Sequence, residues 1–176
     1  MNSKTGQFEN GTWFAALVKI APHSPDPLFR KGRWLELAVS RDEGRTWQNR
    51  GPLTLTNQKP GHILELQSGE LLLSYGTRIP GMFGVALRLS TDGGETWSLP
   101  NPLIHIVHKT DCGYPCSVQL QDGTIVTAYY FGPKVGPHSP GFLSGPSALP
   151  WHYRYHMGVA RWHIEDLCAE LKKNEG

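Results

Sequence analysis

Hydrophobic residues fall in short runs separated by turns that contain Gly, Pro, Asn or Asp, a pattern typical of β-strands. The runs ILELQSGELLL at 63–73 and SVQLQDGTIVT at 117–127 share one plan: a strand, a tight Ser-Gly or Asp-Gly turn, and a second strand. Each predicts a β-hairpin. The runs GVALR at 84–88 and GVARW at 158–162 follow these hairpins after loops rich in Gly and Pro, and predict third strands. The repetition indicates an all-β chain.

A second repeat lies out of phase with the hairpins, as SRDEGRTW at 40–47 and STDGGETW at 90–97. In each, short polar side chains can bond nearby backbone N–H groups. The glycine two residues after the aspartate, Gly44 or Gly94, supplies left-handed backbone angles. We expect the closing tryptophans, Trp47 and Trp97, to be buried anchors. The aspartates are therefore interpreted as structural elements of tight turns rather than as catalytic groups.

Hairpin, third strand, turn motif and fourth strand together make one blade of a β-propeller. A complete blade is predicted at about 60–107, preceded by one at about 8–57 that lacks its innermost strand, and followed by one at about 113–163. The segment at about 164–174 is predicted to form a short helix. The whole chain is thus interpreted as a single partial propeller domain of four-stranded antiparallel blades.

Composition narrows the classes of partner. The chain has 176 residues with 20 Gly and 14 Pro, and its net charge of +2 is not gathered into a basic stripe, so nucleic acid is not an expected partner. The three cysteines have no zinc-binding spacing, and no cofactor or metal motif is present. No apolar run approaches the ~20 residues of a membrane span, and residues 1–10 lack a signal core. We therefore expect no membrane partner. The sequence does not indicate a cellular compartment for the protein.

The two turn motifs resemble the Asp boxes, or BNR repeats, of the sialidase (neuraminidase) superfamily, whose relatives carry them on a six-bladed β-propeller. The resemblance covers about 13–162 and is closest to the C-terminal half of bacterial sialidase-like proteins, which implies about three of six blades. The segment GYPCSVQLQDG at 113–123, with Tyr130 and the YRY segment at 153–155, looks like the last functional blade of those proteins.

The resemblance also implies roles for individual residues. Tyr114 falls on the position of the catalytic tyrosine nucleophile, and Arg78 is the best match to a substrate-binding arginine, with Arg154 and Tyr130 as further substrate contacts. Two departures are evident. The assisting glutamate of the family falls on Pro60, and the usual arginine falls on Gly76, two residues before Arg78. An early arginine and the acid/base aspartate belong to blades not visible in this chain, so we expect it not to complete a sialidase site alone.

Strand directions alternate within a blade, which predicts that His62, Arg78, Asp111, Tyr114 and the loop at 132–150 share one face, away from both Asp boxes. A guanidinium can bind a sugar carboxylate through two parallel hydrogen bonds. A phenol with an ordinary pKa of ~10 needs a neighbouring base to attack near neutrality. His62 or Asp111 are the candidates for that base.

Structural interpretations compete with each of these roles. Arg78 also suits an interblade ion pair, His62 a hydrogen-bonded structural position, Tyr114 interblade packing, and Asp111 a turn. The aromatic segment at 151–156, which includes Arg154, suits either a wall for sugar stacking or the edge of a strand.

Three functions remain open from sequence. The first is a sialidase-like glycoside hydrolase, or a fragment of one, that acts on an acidic or otherwise polar sugar through a tyrosine nucleophile. The second is a non-catalytic Asp-box propeller that binds carbohydrate or protein. The third is a truncated product without independent function. Because a half propeller leaves open blade edges, a second copy or a missing N-terminal half is expected to close it.

Overall fold

The computed structural model describes residues 11–21, 32–106, 111–132 and 156–167, which form ten strands in three antiparallel sheets. The strands are β1 (Trp13–Ala21), β2 (Gly32–Ser40), β3 (Gln48–Pro52), β4 (Gln58–Glu65), β5 (Leu71–Thr77), β6 (Gly84–Ser90), β7 (Asn101–His105), β8 (Cys112–Gln119), β9 (Ile125–Phe131) and β10 (His156–Trp162). Their orders are β1-β2-β3, β4-β5-β6-β7 and β8-β9-β10. We call these sheets the first, middle and last blade. The fold is the all-β partial propeller expected from the sequence.

The middle blade is a four-stranded meander whose second strand is fully enclosed. All seven residues of β5 are buried, because sheets lie on both sides of it. The hairpin between β4 and β5 closes through a hydrogen bond from Leu66 N–H to the Glu70 carbonyl, and Gly69 has a φ of 94° in the turn. The hairpin of the last blade closes in the same way, from Leu120 to Thr124, with Gly123 at a φ of 85°.

The described part of each outer blade contains three strands. In the first blade, β1 and β2 occupy the places of β5 and β6, because the Asp-box turn follows β2 as it follows β6. In the middle blade, β4 is the innermost strand and pairs with β5. The sequence predicts that the first blade lacks the corresponding strand, which would pair with β1. Residues 164–167 are helical, and the remainder of the predicted C-terminal helix lies outside the described residues.

Two apolar cores join the middle blade to its neighbours. Leu35, Leu37 and Val39 of the first blade pack with Leu73 and Tyr75 of β5. On the other side, a second set packs the middle blade against the last: Leu64, Leu66, Leu72, Leu87, Leu89, Ile125, Trp162 and Leu167. The interfaces between sheets, rather than the interior of any one sheet, therefore form the hydrophobic core.

The two Asp-box tryptophans differ, and the expectation of burial is wrong for Trp47. Trp97 is partly buried against the core that joins the first and middle blades. Trp47, at the same position of the first blade, is 45% exposed. The sheet that would precede the first blade is not among the described residues, so the apolar surface that Trp97 contacts has no counterpart for Trp47.

Candidate functional site

The first and middle blades each have an Asp-box end and an opposite end. Leu71 pairs with Ser90 at the Asp-box end of β5 and β6, whereas Thr77 pairs with Gly84 at the other end. Six residues of strand separate the two ends, a distance of about 20 Å at 3.3–3.4 Å per residue. Groups at the two ends therefore belong to separate sites.

The side chain of each Asp-box aspartate is engaged inside its own turn. Asp42 accepts hydrogen bonds from Ser40 Oγ at 2.7 Å, from Thr46 N–H at 2.8 Å and from Thr46 Oγ1 at 2.6 Å. The Thr46 hydroxyl, followed by the other bonds, lowers the pKa of Asp42 from 3.8 to about 2. Asp92 has equivalent bonds from Ser90 and Thr96 and the same low pKa of about 2. These contacts support the interpretation of the aspartates as turn elements.

At the opposite end, Arg78 and Asp111 join the middle and last blades. Arg78 Nε donates to Asp111 Oδ1 at 2.9 Å, and Arg78 Nη1 donates to the Lys59 carbonyl at 2.5 Å. Tyr130 donates its hydroxyl to Asp111 Oδ2 at 2.6 Å. Burial first, and then the hydrogen bond to Asp111, raise the pKa of Tyr130 well above its ordinary value of 10. Tyr130 is therefore a neutral hydrogen-bond donor near pH 7.

Tyr114 covers this ion pair and faces outward. Its ring stacks on Tyr130 with centroids 4.9 Å apart, and the Arg78 guanidinium carbon lies 5.2 Å from the centroid of the Tyr114 ring. The residue is 47% exposed and has a φ of 49°, a left-handed conformation that is rare for a bulky side chain. The four side chains of Arg78, Asp111, Tyr114 and Tyr130 are called the arginine–tyrosine cluster below.

Close packing of two glycines explains why no side chain occupies position 76. A Cβ on Gly76 would lie 3.0 Å from the Lys59 carbonyl oxygen and 3.2 Å from the Cα of Gly113. A Cβ on Gly113 would lie 2.5 Å from the Cα of Gly76. The backbones of β5 and β8 therefore leave no room for the arginine that the family resemblance puts at Gly76, and the nearby guanidinium is that of Arg78.

The structure does not bring His62 to the cluster. His62 pairs with Ser74, three residues or about 10 Å along the strand from Thr77. Its Nδ1 accepts a hydrogen bond from the Ser117 N–H at 3.3 Å, and burial lowers its pKa. This contact links β4 to β8, which matches the structural interpretation of His62.

Sequence reasoning missed two cations near the cluster, Lys59 and Arg33. Burial lowers the pKa of Lys59, and the charges of Arg78 and Arg33 lower it further, whereas Asp111 acts in the opposite direction. Arg33 lies on β2 and Lys59 on β4. The predicted order of the blades puts these strands next to each other, and this could have indicated that both cations lie near the cluster. Arg154 lies outside the described residues.

Further observations concern metals and membranes. In the described ranges, no group of three or more His, Cys, Asp or Glu side chains is arranged to hold a metal ion. Those ranges also contain no helix with the length and apolar character of a membrane span.

Comparisons with known proteins agree with the architecture. Residues 88–99 match the family model for the BNR/Asp-box repeat. No curated protein matches the sequence. Among solved structures, a protein of unknown function from Dyadobacter fermentans is similar over 73% of this chain and 33% of its own, with a TM-score of 0.58 and 18% identity.

Two fungal enzymes have similar folds. The GH93 α-L-arabinofuranosidase of Fusarium graminearum, solved with arabinobiose, matches 86% of this chain and 40% of its own, with a TM-score of 0.56 and 20% identity. The α-L-arabinanase of Penicillium chrysogenum, also with arabinobiose, matches 89% and 42%, with a TM-score of 0.57 and 18% identity. The chain thus spans about a third to two fifths of the length of these structures. Fold and repeat together define it as a β-propeller chain that carries a BNR/Asp-box repeat.

Proposed function

We propose that the arginine–tyrosine cluster is the sugar-contacting part of a carbohydrate-active propeller. The observation that carries the proposal is Tyr114, an exposed aromatic ring in a left-handed conformation beside a guanidinium. Such a conformation costs of order 1–3 kcal/mol and is concentrated at ligand and active sites. Aromatic rings stack on the apolar faces of sugars, and charged donors bind their hydroxyl or carboxylate groups. The arabinobiose bound to two enzymes of similar fold supports a saccharide as the ligand class.

The finer form of the proposal is a sialidase-like glycoside hydrolase acting on a terminal polar or acidic sugar. Tyr114 is then the nucleophile, with a base from outside the described residues taking its hydroxyl proton, and Arg78 recognises the substrate. Asp111 holds Arg78 and the hydroxyl of Tyr130, so it acts as a positioning residue rather than as the base for Tyr114. Among the residues that the structure describes, His62 binds the Ser117 N–H, which supports a structural role for it.

Non-catalytic glycan binding is the second candidate. Glycoside hydrolysis uses two reacting groups on opposite sides of the scissile bond. The described residues bring one carboxylate, Asp111, into the cluster. A chain with this part of a site can bind a sugar without cleaving it.

Substitution of Tyr114 separates binding from catalysis. We expect Tyr114→Ala to weaken binding of arabinobiose or N-acetylneuraminic acid at least about tenfold, a loss of ~1.4 kcal/mol. Tyr114→Phe retains the ring and should preserve affinity, but it should abolish any turnover of the matching aryl glycosides. NMR titration and a chromogenic assay measure the two effects.

Tyr129 provides the matched control for this test. Tyr129 stacks on Phe131, and its hydroxyl takes no part in the cluster. Tyr129→Phe should change neither affinity nor turnover. Equal affinity of Tyr114→Ala and the unmodified chain would refute the sugar site, and unchanged turnover in Tyr114→Phe would remove the nucleophile.

We also propose that further blades of the same kind cover the open faces of the outer sheets. Met157 and Val159 are 74% and 63% exposed, and they alternate along β10 with Ala160 and Trp162, which pack against the middle blade. On β1, Leu17 of the open face is 50% exposed. A second copy or additional sequence could supply the covering blades.

A further inference from the structure

Three basic residues from three segments meet at one end of the first and middle blades. Arg33 lies on β2, Lys59 on β4, and Arg78 directly after β5. Their backbones are tied together through Asn57, whose N–H donates to the Arg33 carbonyl at 2.8 Å and whose carbonyl accepts from Arg78 N–H at 2.9 Å. Arg78 Nη1 also donates to the Lys59 carbonyl. These bonds fix the backbone positions from which the three basic side chains extend.

Positive charge exceeds negative charge around this point in the described part of the chain. Asp111 is paired with Arg78, and it is the acidic group that opposes the effect of Arg78 and Arg33 on the pKa of Lys59. Three cations therefore face one carboxylate. Partial burial strengthens the attraction of this excess positive charge for an anion, because the effective dielectric constant is lower than in water.

One donor of the central cation is also unused. Arg78 Nη2 is buried and has no hydrogen-bond partner among the described residues, although Nε and Nη1 are both bonded. A buried donor without a partner carries a free-energy penalty that an acceptor on a ligand would remove. The Tyr114 ring lies against the same guanidinium, so a ligand that reaches Nη2 also meets an aromatic surface.

We propose that Lys59 and Arg33, together with Arg78, select a saccharide that carries two anionic groups, as carboxylates or sulfate esters. The inference rests on the proposed function of the cluster as a sugar site and adds the charge of its ligand. One anionic group pairs with Arg78 through Nη2, and the second lies between Lys59 and Arg33. Three cations and one carboxylate give this part of the site a net charge of +2, which two anionic groups neutralise.

Titration of the full chain with three disaccharides tests this inference. The probes are arabinobiose, a uronate disaccharide with one charge, and its monosulfated form with two. By NMR we expect the affinity to rise at each added charge, and the doubly charged probe to weaken most when salt is added. Lys59→Gln should weaken the doubly charged probe about tenfold, as expected for loss of a charge-assisted contact, and leave arabinobiose unchanged.

Arg33→Gln and Arg45→Gln form a matched pair of variants. Both remove an exposed arginine, but Arg45 lies on the Asp-box turn beside Glu43, at the far end of the first blade. Arg33→Gln should weaken the doubly charged probe, and Arg45→Gln should not. Equal affinity for all three probes would overturn the inference and leave the sugar site standing. Binding of none of them would overturn both.

Discussion

Threonine hydroxyls determine how acidic the Asp-box carboxyls are. Asp42 and Asp92 lie on the surface, so little burial opposes their ionisation, and the pKa of each is about 2. Each turn lowers the pKa with hydrogen bonds donated by the threonine four residues later. The two turns are close copies, and each can serve as the reference for the other.

Thr46→Val should raise the pKa of Asp42 from about 2 towards 3.8 and leave that of Asp92 unchanged. Valine has nearly the same shape but cannot donate to the carboxylate. Because folding lowers the pKa, the carboxylate stabilises the fold above about pH 3.8, and this contribution is lost as the pH falls towards 2. NMR pH titration of the carboxyl carbons checks both values. An unchanged Asp42 titration would show that the backbone N–H of Thr46 is the main cause.

The contacts of single residues were the least predictable part of the site. Sequence reasoning grouped Arg78, Asp111 and Tyr114 correctly at one end, because strand direction determines which end each residue occupies. It did not anticipate that Tyr130 takes the hydroxyl contact with Asp111, nor that His62 binds the Ser117 backbone. The His62 contact joins two blades and depends on the spacing and tilt of adjacent sheets. The Tyr130 contact lies within the last blade, beside the register shift between Gly113 and Cys116, and short sequence patterns encode neither.

Strands and hairpins, in contrast, follow from local sequence. The alternation and turn residues of 63–73 and 117–127 predict both hairpins, and the structure pairs β4 with β5 and β8 with β9. The last strand of the middle blade begins at Asn101, because the Asp-box turn extends to Ser98, whose N–H bonds the Leu89 carbonyl. Boundaries shift where such a turn competes with strand pairing.

The contact between β5 and β8 depends on glycine. We expect Gly76→Ala to lower the free energy of unfolding by about 1–3 kcal/mol, because its methyl group would press on the backbone of Gly113 and Lys59. It should also change the NMR signals of the Arg78 side chain, since Arg78 and Asp111 join the same two strands. Thermal unfolding and NMR spectra provide the measurements.

Gly69→Ala is the control for strain in a turn. Gly69 has a φ of 94° and open space around it, so alanine there strains only the hairpin backbone. It should destabilise the chain and leave the signals of Arg78 as they are. A Gly76→Ala chain as stable as the unmodified chain would show that the two strands can move apart at no cost.

At the scale of the whole molecule, we expect the open faces of the outer blades to determine its state of association. Exposed valine and methionine on β10 and exposed leucine on β1 resemble the residues buried where two blades meet. Apolar surface of this kind associates in water. We expect light scattering after size exclusion to give a mass above the 19.6 kDa of one chain.

Val159→Lys should shift that mass towards 19.6 kDa, because it places a charge on the open face of the last blade. Leu99→Lys is the matched control: Leu99 is 76% exposed but lies near the Asp-box turn of the middle blade. A folded, soluble chain of 19.6 kDa that neither substitution alters would contradict the proposal of covering blades.

The complete burial of β5 has a consequence for how the molecule loses structure. In arrays of repeated units, stability is approximately a sum of terms within each unit and terms between neighbours. The middle blade has two neighbours, whereas each outer blade has one in the described chain. Detachment of an outer blade removes one interface and leaves the other intact. Unfolding should therefore proceed inward from either end, with β5 as the last strand to exchange its amide protons with solvent.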